Sequence, residues 1–248
     1  MISAANVHDF QESDQAVAHA AGLVASTLSS MTGSRITMAL SGGSSAANLF
    51  DVLAEQSAAN VPWERVVICW VDDRFVPPDH SESNYGLARD RLLTKLPIRS
   101  DQIYPMPTSS SSPEQGAQDY EQTLRRLFDA PSELPDNGDA SCWFPRFDLL
   151  LLGMGPDGHI ASLFPGKPAL EERTRWVTGV PDPGMEPMIP RITLTLPVLE
   201  HARHVIALVT GAKKQKAFQE ALTDPDSTLP AARFAPQGRI SWTTCFRD

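Results

Sequence analysis

The chain has 248 residues, with 21 Lys and Arg against 30 Asp and Glu, for a formal net charge of −9. That length can bury a large core as one α/β domain, while the acidic balance excludes general nucleic-acid binding, which needs a basic footprint. It leaves room for a small anionic ligand held by a few cations focused in one cleft. No apolar run approaches the ~20 residues of a membrane helix. The N-terminus MISAANVHDFQESDQ lacks the basic and apolar regions of a signal peptide. Cys69, Cys142 and Cys245 are scattered and odd in number, without C-x-x-C spacing. Neither a disulfide framework nor a zinc ribbon is expected, and a reducing cytoplasm is.

In chain order, residues 13–31 read as an amphipathic helix, with Val17, Ala20, Ala21, Val24, Leu28 and Met31 on one face. RITMAL (35–40) is a strand, and SGGSS (41–45) turns into a second helix over 46–58. VVICWV (66–71) is a continuous apolar strand that delivers Asp72, Asp73 and Arg74 at its end. A helix follows over 84–96, then a short strand at Ile103 and Tyr104. Ser112-Pro113-Glu114-Gln115 carries a capping box for a helix reaching about Phe128. Residues 130–143 form a loop without legible chemistry. Phe147 and Leu149 to Leu152 form a strand ending in glycines, and further strands are expected at 176–180, 191–196 (RITLTL), 204–210 (HVIALVT) and 239–244. The proline-rich stretch 181–190 is a loop. Lys213, Lys214 and Lys216 open a helix to Leu222. Apolar strands alternating with helices predict a mostly parallel, doubly wound sheet covered on both faces, with a few extra strands, in one domain over 1–248.

In such sheets the ligand sits beyond the carboxyl ends of the strands, which directs attention to GMGPDGH (153–159). The segment formally matches G-x-G-x-x-G, the dinucleotide fingerprint. Pro165 and Gly166 interrupt the helix that fingerprint requires, and the strand at 176–180 has no acid at its tip. Two readings of Asp157 and His159 then stand side by side. The carboxylate orients an imidazole that moves protons near neutral pH, or it merely caps a short helical turn. SGGSS has a similar ambiguity. Its N–H groups, hydroxyls and helix N-terminus suit a phosphate, yet small polar residues are ordinary loop punctuation. It is not a P-loop, since the G-K-[ST] ending is missing.

Asp72, Asp73 and Arg74 are either ligand-facing or a solvated surface pair. Arg74, Arg191 and Lys214 each lie beside a strand end or a helix start. Arg191, however, begins its strand, so using it beside the others requires an antiparallel strand or the preceding loop. Lys213 and Lys216 read as solvated. His80 has a weak claim to a cleft, and His201 with His204 reads as structural. No H-E-x-x-H pattern and no Gly-x-Ser-x-Gly elbow is present.

Together SGGSSA (41–46), WVDDRFVPPDHSESNYGLAR (70–89), LLGMGPDGHIASLFPG (151–166), PRITLTLP (190–197) and VTGAKK (209–214) resemble the 6-phosphogluconolactonases, within the glucosamine-6-phosphate isomerase/6-phosphogluconolactonase superfamily. The likeness runs in order over 36–222. It implies a Rossmann-like fold and hydrolysis of a phosphosugar lactone with neither cofactor nor required metal. His159 would be the general base and Asp157 its orienting partner. Arg74, Arg191 and Lys214 would hold the phosphate. Ser41, Gly42, Gly43 and Ser44 would line the sugar site with Asp72, and the N–H groups of Gly155 and Gly158 would meet the oxyanion. The implied partner is a small phosphosugar lactone, with no nucleic acid and no membrane, and a monomer or weak dimer is expected.

The chain departs from that pattern at Ser44-Ser45-Ala46, where relatives often have a threonine-proline ending, and at Asp73, where glutamate is common. The related deaminase/isomerases carry a glutamate five residues after the histidine; here the position is Phe164, which cannot shuttle a proton. The alternatives are a deaminase/isomerase-like enzyme, a non-catalytic sugar-phosphate sensor and, more remotely, a nicotinamide-dependent oxidoreductase.

Overall fold

The computed structural model describes residues 2–56, 60–130 and 144–247. Six strands form one all-parallel sheet: β1 (Val7–Asp9), β2 (Ile36–Leu40), β3 (Val66–Trp70), β5 (Leu149–Leu152), β8 (His204–Thr210) and β9 (Arg239–Cys245), in the order β1-β9-β8-β5-β2-β3. Every residue of β2, β3 and β5 is buried. Such runs need cover on both faces, which is why these stretches read as continuous apolar segments rather than alternating ones. From β2 the chain moves outward to β3, and from β5 it moves the other way through β8 to β9. The loops after β2 and β5 therefore flank the point where the winding reverses, the crevice position of a doubly wound sheet.

A second sheet of three antiparallel strands, β4 (Asp72–Arg74), β7 (Arg191–Leu194) and β6 (Val177–Val180), stands beside the first. Val71 joins the two. Its N–H donates to the Leu40 carbonyl at 2.9 Å, and its carbonyl accepts from the Leu194 N–H at 2.8 Å. The expected strands at 176–180 and 191–196 are thus real but belong to this smaller sheet.

Among the helices, α1 (Ser13–Ser30) packs on β8 and β9 and against α2 (Ser44–Gln56). Helix α2 starts two residues earlier than its sequence suggests, because Gly43 at φ 92 makes the turn. The helix expected over 84–96 is α3 (Asn84–Arg91) followed by a 3-10 turn, Leu93–Lys95. The strand expected at Ile103 is a single bridge to Ile68. Strand β1 gave no period-2 signal because it is only three residues long and partly exposed. The loop expected at 130–143 lies almost wholly outside the described residues.

Helix α4 (Pro113–Leu127) packs on β6 and β7. Ser112 caps it by accepting from the Gln115 N–H at 3.1 Å, while the Gln115 amide turns to Asp119. Its buried Tyr120 hydroxyl accepts from the Trp70 N–H at 2.9 Å and donates to the Tyr104 carbonyl at 3.1 Å. Tyr120→Phe takes this partner from the buried Trp70 N–H and from the carbonyl of the half-buried Tyr104. A loss of about 1–3 kcal/mol is expected, and denaturant melts of the two proteins would measure it.

Candidate active site

The carboxyl ends of β8, β5, β2 and β3, four neighbours in the sheet, open into one cleft with a cavity volume of about 230 Å³. His159, Arg74, Arg191, Lys214, Asp72 and the 41–44 loop all line it. Residues spread over 174 positions of the chain thus meet on one hollow.

Beyond β5 the chain doubles back. The Gly155 N–H donates to the His159 carbonyl at 2.9 Å, and the Gly158 N–H donates to the Gly155 carbonyl at 3.0 Å. The His159 ring folds over Gly155 so closely that a Cβ there would fall 2.1 Å from Nδ1. Asp157 Oδ1 lies 2.6 Å from His159 Nδ1 and also accepts from the His159 N–H at 3.2 Å. An ionised carboxylate can only accept, so Nδ1 carries the proton and Nε2 presents its lone pair. Burial pushes the Asp157 carboxyl up, but hydrogen bonds and charge from His159 outweigh it and hold the group below its ordinary value. The capping bond is present, yet no helix follows. Residues Ile160 and Leu163 pair as an antiparallel bridge, and Ala161 adopts φ 49, a left-handed conformation rare outside glycine. The carboxylate therefore serves the imidazole.

The same hydrogen bonds correct one expectation. The N–H groups of Gly155 and Gly158 are spent inside the turn and do not offer themselves to an oxyanion. Gly158 does not line the cleft at all. With φ 80 it packs on Leu229, and its carbonyl accepts from the Ala231 N–H at 3.0 Å. Open donors stand elsewhere: the first N–H groups of α2, at Ser44, Ser45 and Ala46, have no carbonyl of their own helix to bond, and all three residues line the cleft.

The cations come from both sheets. Because β4 and β7 run antiparallel, Arg191 at the start of its strand stands directly opposite Arg74 at the end of the other. This resolves the edge problem that the sequence posed. Burial and the Arg74 charge push the Arg191 guanidinium down from its ordinary value, though not far enough to deprotonate an arginine. Arg191 donates to the carbonyls of Ile189 and Pro187 at 3.1 and 3.0 Å. Arg74 donates to the Glu82 carbonyl at 2.8 Å and to its carboxylate at 3.1 Å, while its buried Nε has no protein partner. Lys214 enters from the 3-10 turn after β8, and burial lowers its ammonium pKa. No carboxylate pairs with Lys214 or Arg191 at ion-pair distance among the described residues. Three cations line the cleft beside two acids, Asp72 and Glu186, and focused cations of this kind are what an acidic protein needs to hold an anion.

Asp72 and Asp73 are both buried and serve different ends. Asp73 is structural. Its carboxylate accepts from the N–H groups of Arg74, Asn84 and Tyr85 at 2.7, 2.7 and 2.9 Å, and burial pushes its pKa up to about 6 against those bonds. Asp72 faces the cleft, held by the Ser162 hydroxyl at 2.6 Å. Sequence reasoning missed Ser162, and also Met185 and Glu186, which line the rim. Met185 and Glu186 belong to no residue pattern that announces chemistry, and Ser162 sits inside the 151–166 block without a role of its own in it. In the 41–45 loop, the Ser45 hydroxyl pairs with Thr210 at 2.7 Å and is buried, leaving Ser41 and Ser44 for a ligand. His80 accepts from the Glu82 N–H outside the cleft, and Lys213 and Lys216 are exposed.

Gly42 has a specific reason to be glycine. A Cβ there would fall 1.8 Å from Asn84 Oδ1, while Asn84 Nδ2 donates to the Asp72 carbonyl at 2.9 Å. Gly42→Ala is expected to displace the loop from Asn84 and destabilise the fold by about 1–3 kcal/mol, the range for overpacking. A comparison of thermal melts checks it.

The comparisons with known proteins agree with this geometry. The sequence profile of the family described as glucosamine-6-phosphate isomerases/6-phosphogluconolactonase matches residues 11–242. A probable chloroplastic 6-phosphogluconolactonase 4 of Oryza sativa subsp. indica is 42% identical over 216 residues, covering 84% of this chain. This chain spans only 64% of that protein's length. A 6-phosphogluconolactonase of Synechocystis is 41% identical over 209 residues, covering 83% of this chain and 80% of the relative. The solved structure of 6-phosphogluconolactonase from Trypanosoma cruzi superposes with a TM-score of 0.84 at 30% identity, covering 96% of this chain and 93% of that one. The chain belongs to the glucosamine-6-phosphate isomerase/6-phosphogluconolactonase family.

Proposed function

We propose that this protein is a 6-phosphogluconolactonase, hydrolysing 6-phospho-D-glucono-1,5-lactone to 6-phospho-D-gluconate in the oxidative pentose phosphate pathway. The observation that carries the reading is the 2.6 Å Asp157–His159 contact in the same cleft as three cations from separate elements. The names of the rice, Synechocystis and trypanosome relatives support it.

The geometry suggests the following sequence of events. His159 Nε2 takes a proton from water as the oxygen attacks the lactone carbonyl carbon, and Asp157 stabilises the imidazolium that forms. The tetrahedral intermediate then collapses with cleavage of the ring C–O bond. The departing alkoxide takes the proton back from Nε2–H, so base and acid are the same nitrogen. The open N–H groups at the start of α2 are the donors for developing negative charge. Arg74, Arg191 and Lys214 hold the 6-phosphate, with arginine able to grip it through two N–H groups. Asp72, Ser41 and Ser44 take the sugar hydroxyls. A deaminase/isomerase-like reading lacks its second acid–base group, because Phe164 is apolar and fully buried.

The wider reading is a single α/β unit over 1–248, supported by one continuous apolar core joining both sheets. It is cytoplasmic, supported by the unpaired, buried Cys69 and Cys245. No helix among the described residues is long and apolar enough to cross a membrane. It is a monomer or weak dimer, supported by Met188 being the one exposed large hydrophobic residue among those described.

Acid release from freshly made lactone, measured over its spontaneous hydrolysis, tests the activity. His159→Ala is expected to lower kcat at least about 100-fold with substrate binding kept; turnover near that of the wild type overturns the assignment. Asp157→Asn should lower kcat about 10- to 100-fold with KM within about threefold, since it spoils the orientation of the base and not the phosphate site. Arg74→Ala should raise KM by more than it lowers kcat, and an unchanged KM removes Arg74 from phosphate binding.

A further inference from the structure

Phe164 touches three segments that border the cleft. Its side chain is fully buried. The His159 ring lies 4.5 Å from its ring centre at a 44° tilt, and the Arg191 guanidinium carbon lies 5.7 Å from the same centre. Imidazole and guanidinium can be no further apart than those two lengths laid end to end, a reach that one phosphosugar bridges. Gly184 presses on the same side chain, so that a Cβ on Gly184 would fall 3.0 Å from Phe164 Cβ. The next two residues, Met185 and Glu186, line the cleft, and the Pro187 and Ile189 carbonyls accept from Arg191.

We propose that Phe164 is a positioning residue that fixes the separation and relative aim of His159 and Arg191, and thereby the length of the phosphosugar lactone that the cleft turns over. This rests on the lactonase reading. The Asp157 bond pins one ring atom of His159, and Gly155 borders the ring. A flat, rigid neighbour against the ring face removes the remaining freedom. The same neighbour bears on the cation, because the Arg191 guanidinium lies over the same ring. Leucine or methionine would fill the volume without offering a face, so the packing role and the positioning role separate on substitution. A misplacement of about 1 Å in such a site can cost about 100-fold in rate.

The test compares the wild type with Phe164→Leu on 6-phospho-D-glucono-1,5-lactone and on the same lactone without its phosphate. For the phosphorylated lactone, Phe164→Leu is expected to lower kcat about tenfold with KM within about threefold. The kcat/KM advantage of the phosphorylated over the plain lactone should shrink at least about fivefold, because the two ends of the site lose their fixed spacing. An unchanged kcat, or an equal loss on both lactones, overturns the proposal while leaving the lactonase reading intact. A wild-type protein that does not exceed spontaneous hydrolysis overturns both. Should Phe164→Leu not fold, Phe164→Met, which nearly conserves volume, carries the same expectations and the same refutations.

Discussion

The placing of the two arginines in the cleft depends on a single residue that belongs to two sheets at once. Val71 gives its N–H to the parallel sheet at Leu40 and its carbonyl to the antiparallel sheet at Leu194. Main-chain groups this deeply placed must be paired, so strand β3 cannot simply run on past Trp70. It is handed to a different ladder, with Asp72 to Arg74 as the new strand. That transfer carries Asp72 and Arg74 to the carboxyl edge of the parallel strands and sets Arg191 opposite Arg74. Without it, the imidazole and the guanidinium groups would have no common hollow.

Around this junction the side chains lock one loop to the next. Ser162, three residues past His159, donates its hydroxyl to Asp72 and its N–H to the Thr193 hydroxyl. Asn84 reaches from the start of α3 to the Asp72 carbonyl and closes against Gly42. Ser45 ties the loop after β2 to Thr210 at the end of β8. The result is a site whose segments are remote in sequence and yet share hydrogen bonds, which holds the side chains lining the cleft in fixed relation.

How much of this could be read from the chain follows from the range of each interaction. Unbroken apolar runs such as residues 149–152 and 66–70 declare buried parallel strands locally, and the rule about carboxyl ends then locates the cleft. Asp157 and His159 are two residues apart, so their pairing was visible as a possibility; the structure adds that the carboxylate meets both the ring and the main-chain N–H. Arg191 was legible as a candidate but not as a member, because strand direction is set by a partner more than a hundred residues away. The oxyanion donors were misassigned for a physical reason. A glycine turn looks rich in free N–H groups, but whether it spends them on itself depends on how tightly it closes. Ser162 and Asn84 lie inside the 151–166 and 70–89 blocks, but their contacts are of long range and local spacing does not show them. The family resemblance supplied roles that spacing alone could not.

The two arginines are secured in unlike ways. Arg74 leans on a carboxylate, Glu82, which competes with any incoming anion for the same guanidinium. Arg191 leans on the neutral carbonyl oxygens of Pro187 and Ile189, which orient its guanidinium without neutralising it. An anion arriving in the hollow therefore meets a rival at one arginine and none at the other.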